Sequence, residues 1–156
     1  MTGPLIIGYD GSDGFDAVLR RAAPLLAVRS AVVVVVWEAG VAYELFAFPH
    51  DVMPAPLHVA TAVQVDRAMY EGAQRLAQKG AQIAREAGFE AEGLAVADER
   101  TVPDTLVYLA EERDAVGILV GARGRGLSRL VLGSTSQGVV RRARCPVVVV
   151  RRDGGG

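Results

Sequence analysis

A segment rich in glycine and hydroxyl side chains, Gly121 to Thr135 (GARGRGLSRLVLGST), follows the apolar run Val116 to Val120 and precedes a helix-like stretch, Ser136 to Ala143. A strand, then glycines, then a helix start is an arrangement that binds phosphate. Glycines let the backbone come close to a ligand, and the unpaired N–H groups of a helix N-terminus attract anions. The spacing rules out two common phosphate loops, since the segment has neither G-K-[ST] nor G-x-G-x-x-G. Instead, Gly121 and Gly124 are followed by eight residues and then Gly133-Ser134. Ser134 and Gln137 form an S-x-x-Q capping box that would open the last helix. The N–H groups near Gly133 to Thr135, with the hydroxyls of Ser134 and Thr135, can then face a phosphate. Arg123, Arg125 and Arg129 make the segment basic. The plainer alternative is a glycine-rich turn with solvated arginines.

Other residues offer weaker chemistry. Asp10 ends a short apolar run and can cap the Gly11-Ser12 turn, as aspartate commonly does. His50 and His58 are eight apart in a proline-containing stretch; without i, i+4 spacing or a nearby third ligand they do not make a metal site. Cys145 precedes Pro146 and an apolar strand, the setting of a buried, inert thiol. Arg141, Arg142 and Arg144 close the last helix, where cations suit the helix dipole.

Positioning these groups requires a regular scaffold, and the chain supplies one. Leu5 to Tyr9 reads as a buried strand, and Ser12 or Asp13 can cap the next helix, whose Phe15, Val18, Leu19, Ala22 and Leu26 recur at helical spacing. Ala31 to Trp37, with five consecutive valines, is a strand suited to the centre of a parallel sheet; Trp37 reads as a packing residue. Glu38 to roughly His58, with three prolines, reads as a long loop. Ala60 to Ala87 follows as a helix, with Ala62, Val65, Met69, Ala73, Leu76, Gly80, Ile83 and Ala87 on one face and Gly88 as its C-terminal cap. Then come a strand (Glu90 to Ala97), a helix (Val102 to Arg113), a strand (Val116 to Gly121), a helix (Ser134 to Arg144) and a last strand (Val147 to Arg151). Strands alternating with helices indicate a doubly wound parallel sheet with helices on both faces, Rossmann-like in class. Its ligand is expected beyond the carboxyl ends of the strands, where the winding reverses.

The totals agree. A length of 156 residues fits one domain, taken as 1–152 with a loose tail at 153–156, and 51% hydrophobic residues suffice for a continuous core. A net charge of -1 argues against a nucleic-acid partner, and apolar runs far shorter than a bilayer span argue against a membrane one. One cysteine and no signal-peptide pattern point to a reducing, cytoplasmic setting. Lys79 is the only lysine.

The chain resembles the universal stress protein family, in its ATP-binding branch, over nearly its whole length. The likeness rests on Ile7-Gly8-Tyr9-Asp10-Gly11-Ser12, on Val120 to Gly124, on Leu130 to Ser134 and on Cys145 to Val150. That branch carries G-x-x-G, nine residues, then G and Ser or Thr; here the interval is eight, so the loop tip differs. The resemblance implies a five-stranded sheet in the order 3-2-1-4-5 and a homodimer through the last strand. It implies an adenine nucleotide, ATP with Mg2+, held by Asp10, Val36, Gly121, Arg123, Gly124, Gly133, Ser134 and Thr135. Asp10 would serve the nucleoside side, and the backbone of Val36 the adenine. Four valines in a row on an edge strand would be an aggregation hazard, which pairing with a second copy would remove.

Three functions follow for comparison. One is a regulatory protein binding ATP, with slow hydrolysis at most, since no water-activating base is evident. Another is a dimeric interaction module that binds no ATP, or that takes AMP or cyclic AMP. The third is an enzyme on the same scaffold, such as a nucleotidyl transferase or flavoprotein, which would want a His or Lys at the phosphate loop.

Overall fold

The computed structural model describes residues 2–38, 55–122 and 133–151. In chain order the elements are β1 (Leu5–Gly8), α1 (Asp13–Ala22), a 3-10 turn (Ala23–Leu25), β2 (Ser30–Trp37), α2 (Ala55–Glu86), β3 (Glu90–Ala97), α3 (Val102–Glu112), β4 (Gly117–Ala122), α4 (Ser134–Arg142) and β5 (Val147–Arg151). The strands form one parallel sheet in the order β3-β2-β1-β4-β5, as expected. Ile7 at its centre stands in register with Val33 on one side and Leu119 on the other.

Alternate side chains of each strand serve opposite faces, so an uninterrupted apolar run feeds two cores at once. Leu5, Ile7, Val33, Val35 and Leu119 pack under α1 and α2, with Phe15, Leu19, Ala73, Ala77 and Ala81. Ile6, Val32, Val34, Ile118 and Val120 pack under α3 and α4, with Leu106, Leu109 and Val139. The small residues of α2 bring its backbone onto the sheet: a Cβ at Gly93 of β3 would lie 2.5 Å from the carbonyl oxygen of Ala77.

The largest departure from the sequence reading is the start of α2. The long helix begins at Ala55, so residues 55–58 are helical rather than loop. Pro56 sits in the first turn, where a missing N–H costs nothing because that group has no intrahelical acceptor. The stretch 39–54, with His50, and the tail 152–156 lie outside the described residues. Gly88, at φ +104, ends α2 as expected.

Candidate functional site

β1 lies between β2 and β4, so the chain winds one way to β3 and then the other way to β5. At the carboxyl ends of β1, β2 and β4 a cleft of about 320 Å³ opens. Asp10, Val36, Gly121, Gly133 and Thr135 line it, drawn from the ends of β1, β2 and β4 and the start of α4. The sequence had separated them by up to 125 positions, and the topology brings them together.

The turn after β1 is held internally. The amide of Ser12 donates to Asp10 Oδ1 at 3.0 Å, and its hydroxyl donates to the same oxygen at 2.6 Å. Ser12 is the N-cap residue of α1 by backbone geometry, but its side chain makes no capping bond to the helix; its hydroxyl is turned to donate to Asp10 instead. Gly11, at φ +75, supplies the left-handed step that lets the turn close.

The start of α4 corrects one expectation. Gly133 is the N-cap, with an extended backbone, and Ser134 is already the first helical residue, so the S-x-x-Q box does not form. Ser136 instead donates its hydroxyl back to the Gly133 carbonyl at 3.0 Å. The amides of Ser134, Thr135 and Ser136 belong to the first turn and lack intrahelical acceptors. No acidic residue stands in that turn to repel an anion, while Arg141 and Arg142 stand in the last. Ser134 itself is exposed and borders a neighbouring depression with Thr101 and Gln137; Thr135 borders both. Arg123 and Gly124 lie outside the described residues.

The rest of the cleft wall is apolar: Tyr9, Phe15, Val34, Val35, Leu76, Leu106 and Val120 contribute. A Cβ at Gly121 would come within 3.0 Å of the Phe15 ring, so the absence of a side chain there lets Phe15 close the floor. Tyr9 and Phe15 were legible as strand and helix core, whereas Ser136, which also lines the cleft, was not among the hydroxyls singled out beside Gly133. Leu76 and Leu106 carry no local signal, because each sits on the apolar stripe of a helix.

Trp37 packs as expected, its ring 5.8 Å from that of Tyr70. Arg142 pairs with Asp104 at 3.3 Å and Arg144 with Glu111 at 3.6 Å, tying α4 and its following loop to α3. Cys145 lies at the other end of the sheet, beside Glu111 and Ala143. Burial pushes its thiol up, and the Glu111 carboxylate adds to that rise. Among the described residues, no group of three or more His, Cys, Asp or Glu side chains gathers where it could hold a metal ion. Nor is any described helix long and apolar enough to cross a membrane.

The family model of the universal stress proteins matches residues 1–151. The chain belongs to the universal stress protein family. A universal stress protein from Methanocaldococcus jannaschii is 42% identical over 48 residues, a stretch that spans 30% of this chain and 28% of that relative. Among solved structures, the universal stress protein from Archaeoglobus fulgidus in complex with dAMP is similar at 24% identity and a TM-score of 0.63, over 96% of this chain and 99% of that one. A universal stress protein in complex with cAMP is similar at 20% identity and a TM-score of 0.60, over 98% and 100% of the two chains. At such identities the structural likeness shows the fold, and the family's parallel α/β architecture is the one observed here.

Proposed function

We propose that this universal stress protein is a regulatory nucleotide-binding protein that takes an adenine nucleotide, ATP foremost, in the cleft at the carboxyl ends of β1, β2 and β4. The observation that carries this reading is the convergence of Asp10, Val36, Gly121, Gly133 and Thr135 on one cleft at the switch point of the sheet. Adenine would lie against the Val34 to Val36 wall, with Asp10 toward the ribose. The phosphates would meet the first-turn amides of α4, including that of Ser134, and the segment bearing Arg123 and Gly124. The dAMP and cAMP complexes of two relatives support an adenine ligand. Asp10 is the one carboxylate among the described lining residues. Mg2+ would therefore ride on the phosphate oxygens and water, since the one lining carboxylate is placed toward the ribose. A single lining carboxylate fits binding better than turnover.

A second reading has an observation of its own. A cleft of about 320 Å³ stands at the low end of small-molecule sites, which favours AMP or cyclic AMP over ATP, or an interaction module without ATP. Calorimetry with ATP, AMP and cyclic AMP separates the two, alongside mass spectrometry of whatever the purified protein releases on denaturation. ATP or ADP released from the wild type supports the first reading. Gly133→Val adds bulk where phosphate must approach; at φ -62 and ψ 162 valine fits the backbone, so the fold should survive. It should weaken ATP by about tenfold or more, a loss of about 1.4 kcal/mol. Unchanged affinity would remove Gly133 from the site.

A further inference from the structure

We infer, on the reading of the cleft as a nucleotide site, that α2 positions that site from behind through a staple made by Tyr9, Asp16 and Lys79. Tyr9 immediately precedes the Asp10-Gly11-Ser12 turn, and Asp16 follows it in the first turns of α1. The Tyr9 hydroxyl donates to Asp16 Oδ1 at 2.7 Å, closing the two ends of the turn against each other across seven positions. The other carboxylate oxygen of Asp16 faces the ammonium of Lys79 on α2 at 3.9 Å. Asp16 is mostly buried, its side chain 16% exposed, so its bond to Tyr9 is shielded from competing water.

The apolar contacts of α2 follow the same line. A Cβ on Gly80 would lie 2.7 Å from the Tyr9 ring, so that ring rests directly on the α2 backbone. Leu76, one turn earlier, occupies the space beside Gly11, where a Cβ would lie 2.6 Å from its Cδ1. Tyr9 in turn meets Phe15 edge-on, with ring centroids 5.8 Å apart, and Phe15 backs Gly121. Leu76, Lys79 and Gly80 of α2 thus bear on the turn, on Asp16 and on Tyr9 in that order, while Tyr9, Asp10 and Leu76 all line the cleft. Tyr9, Asp16 and Lys79 act here as positioning residues. They fix where Asp10 and Ser12 stand, and the ligand need not touch Asp16 or Lys79 at all.

Amide hydrogen exchange tests the staple without relying on a ligand, because the Ser12 amide reports the Asp10 turn directly. In Tyr9→Phe the Ser12 amide should exchange about tenfold faster, the weight of one hydrogen bond to a charged group, while amides of α3 and β3 keep their rates. Asp16→Ala should do the same, and Asp16→Asn, which keeps an acceptor for Tyr9, should fall between it and the wild type. ATP affinity by calorimetry should drop about fivefold in Tyr9→Phe. An unchanged Ser12 rate in both Tyr9→Phe and Asp16→Ala would overturn the staple, as would a rise shared equally by α3 and β3. Wild-type protein that binds no nucleotide would end the nucleotide reading, and the Ser12 rates would still decide the positioning role.

Discussion

Ser12 donates twice to a single carboxylate oxygen of Asp10, through its amide at 3.0 Å and its hydroxyl at 2.6 Å. The same aspartate lines the cleft, so one side chain holds the turn and faces the ligand space. Two substitutions separate the roles. Asp10→Ala removes the acceptor for both bonds and should lower stability by about 1 kcal/mol in urea denaturation. Asp10→Asn keeps an oxygen in place and should stay within about 0.5 kcal/mol of the wild type. Both should weaken nucleotide binding about fivefold or more, since both remove the charge that serves the ligand. Equal affinity for Asp10→Asn and the wild type would reduce Asp10 to a turn residue.

Gly93 tests how closely α2 must lie on the sheet. A Cβ there meets backbone, 2.5 Å from the carbonyl oxygen and 2.6 Å from the carbonyl carbon of Ala77, and backbone cannot rotate aside as a side chain can. Gly93→Ala should therefore lift α2 and cost about 2–3 kcal/mol. For a domain of this size that is a fall of roughly 4–12 °C in Tm. Gly72, on the same helix, is the control: its Cβ would meet only the Arg75 side chain, at 4.0 Å. Gly72→Ala should stabilise by about 0.5–1 kcal/mol, because alanine loses less conformational freedom in a helix. Similar Tm values for the two variants would show that the α2–β3 contact is looser than described.

The scaffold was legible because its signals are local. Five successive valines can satisfy two apolar faces only inside a covered parallel sheet, and β2 is placed so. The anchors of the cleft were legible for a related reason: the ends of β1, β2 and β4 are where such a sheet leaves room. Long-range or positional features were not. The prolines around Ala55 look like loop until the helix start is known, after which Pro56 is in a tolerated place. The S-x-x-Q pattern pointed one residue too far along, because Gly133 takes the cap without any side chain. Leu76 reaches the cleft only because the small side chains of α2 set that helix down on β2 and β3, which no window around Leu76 reveals.

Cys145 should react slowly, and its pH dependence has a definite sign. Burial raises the thiol, and the Glu111 carboxylate raises it further, while a backbone hydrogen bond opposes both. The fold therefore favours the protonated form. The stability this group lends is fully present below the unfolded thiol value, about 8.5, and is lost as pH rises through the higher folded value. At pH 8 alkylation by iodoacetamide should be slower in native protein than in urea-unfolded protein, and Glu111→Gln should speed the native reaction. Native and unfolded rates that match would place the thiol in open solvent.

A homodimer through β5, which the family resemblance implies, can be tested strand residue by strand residue. Among the described residues β5 pairs with β4 alone, and Val147, Val148 and Val149 are only half-buried. Ile118 donates to the carbonyl of Pro146 at 2.9 Å. In a parallel ladder the carbonyl of that same residue accepts from two positions further on, which is Val148. The Val148 amide therefore serves the β4–β5 ladder, and those of Val147 and Val149 point to the open edge. Val149→Pro removes an outward donor and should yield a folded monomer by light scattering and circular dichroism, since proline is tolerated where the N–H side faces outward. Val148→Pro breaks the ladder inside the protomer and should cost about 3 kcal/mol or more, lowering Tm whatever the oligomeric state. A Val149→Pro protein that remains dimeric would move the subunit contact away from this strand, and a wild type that is monomeric at all concentrations would remove it.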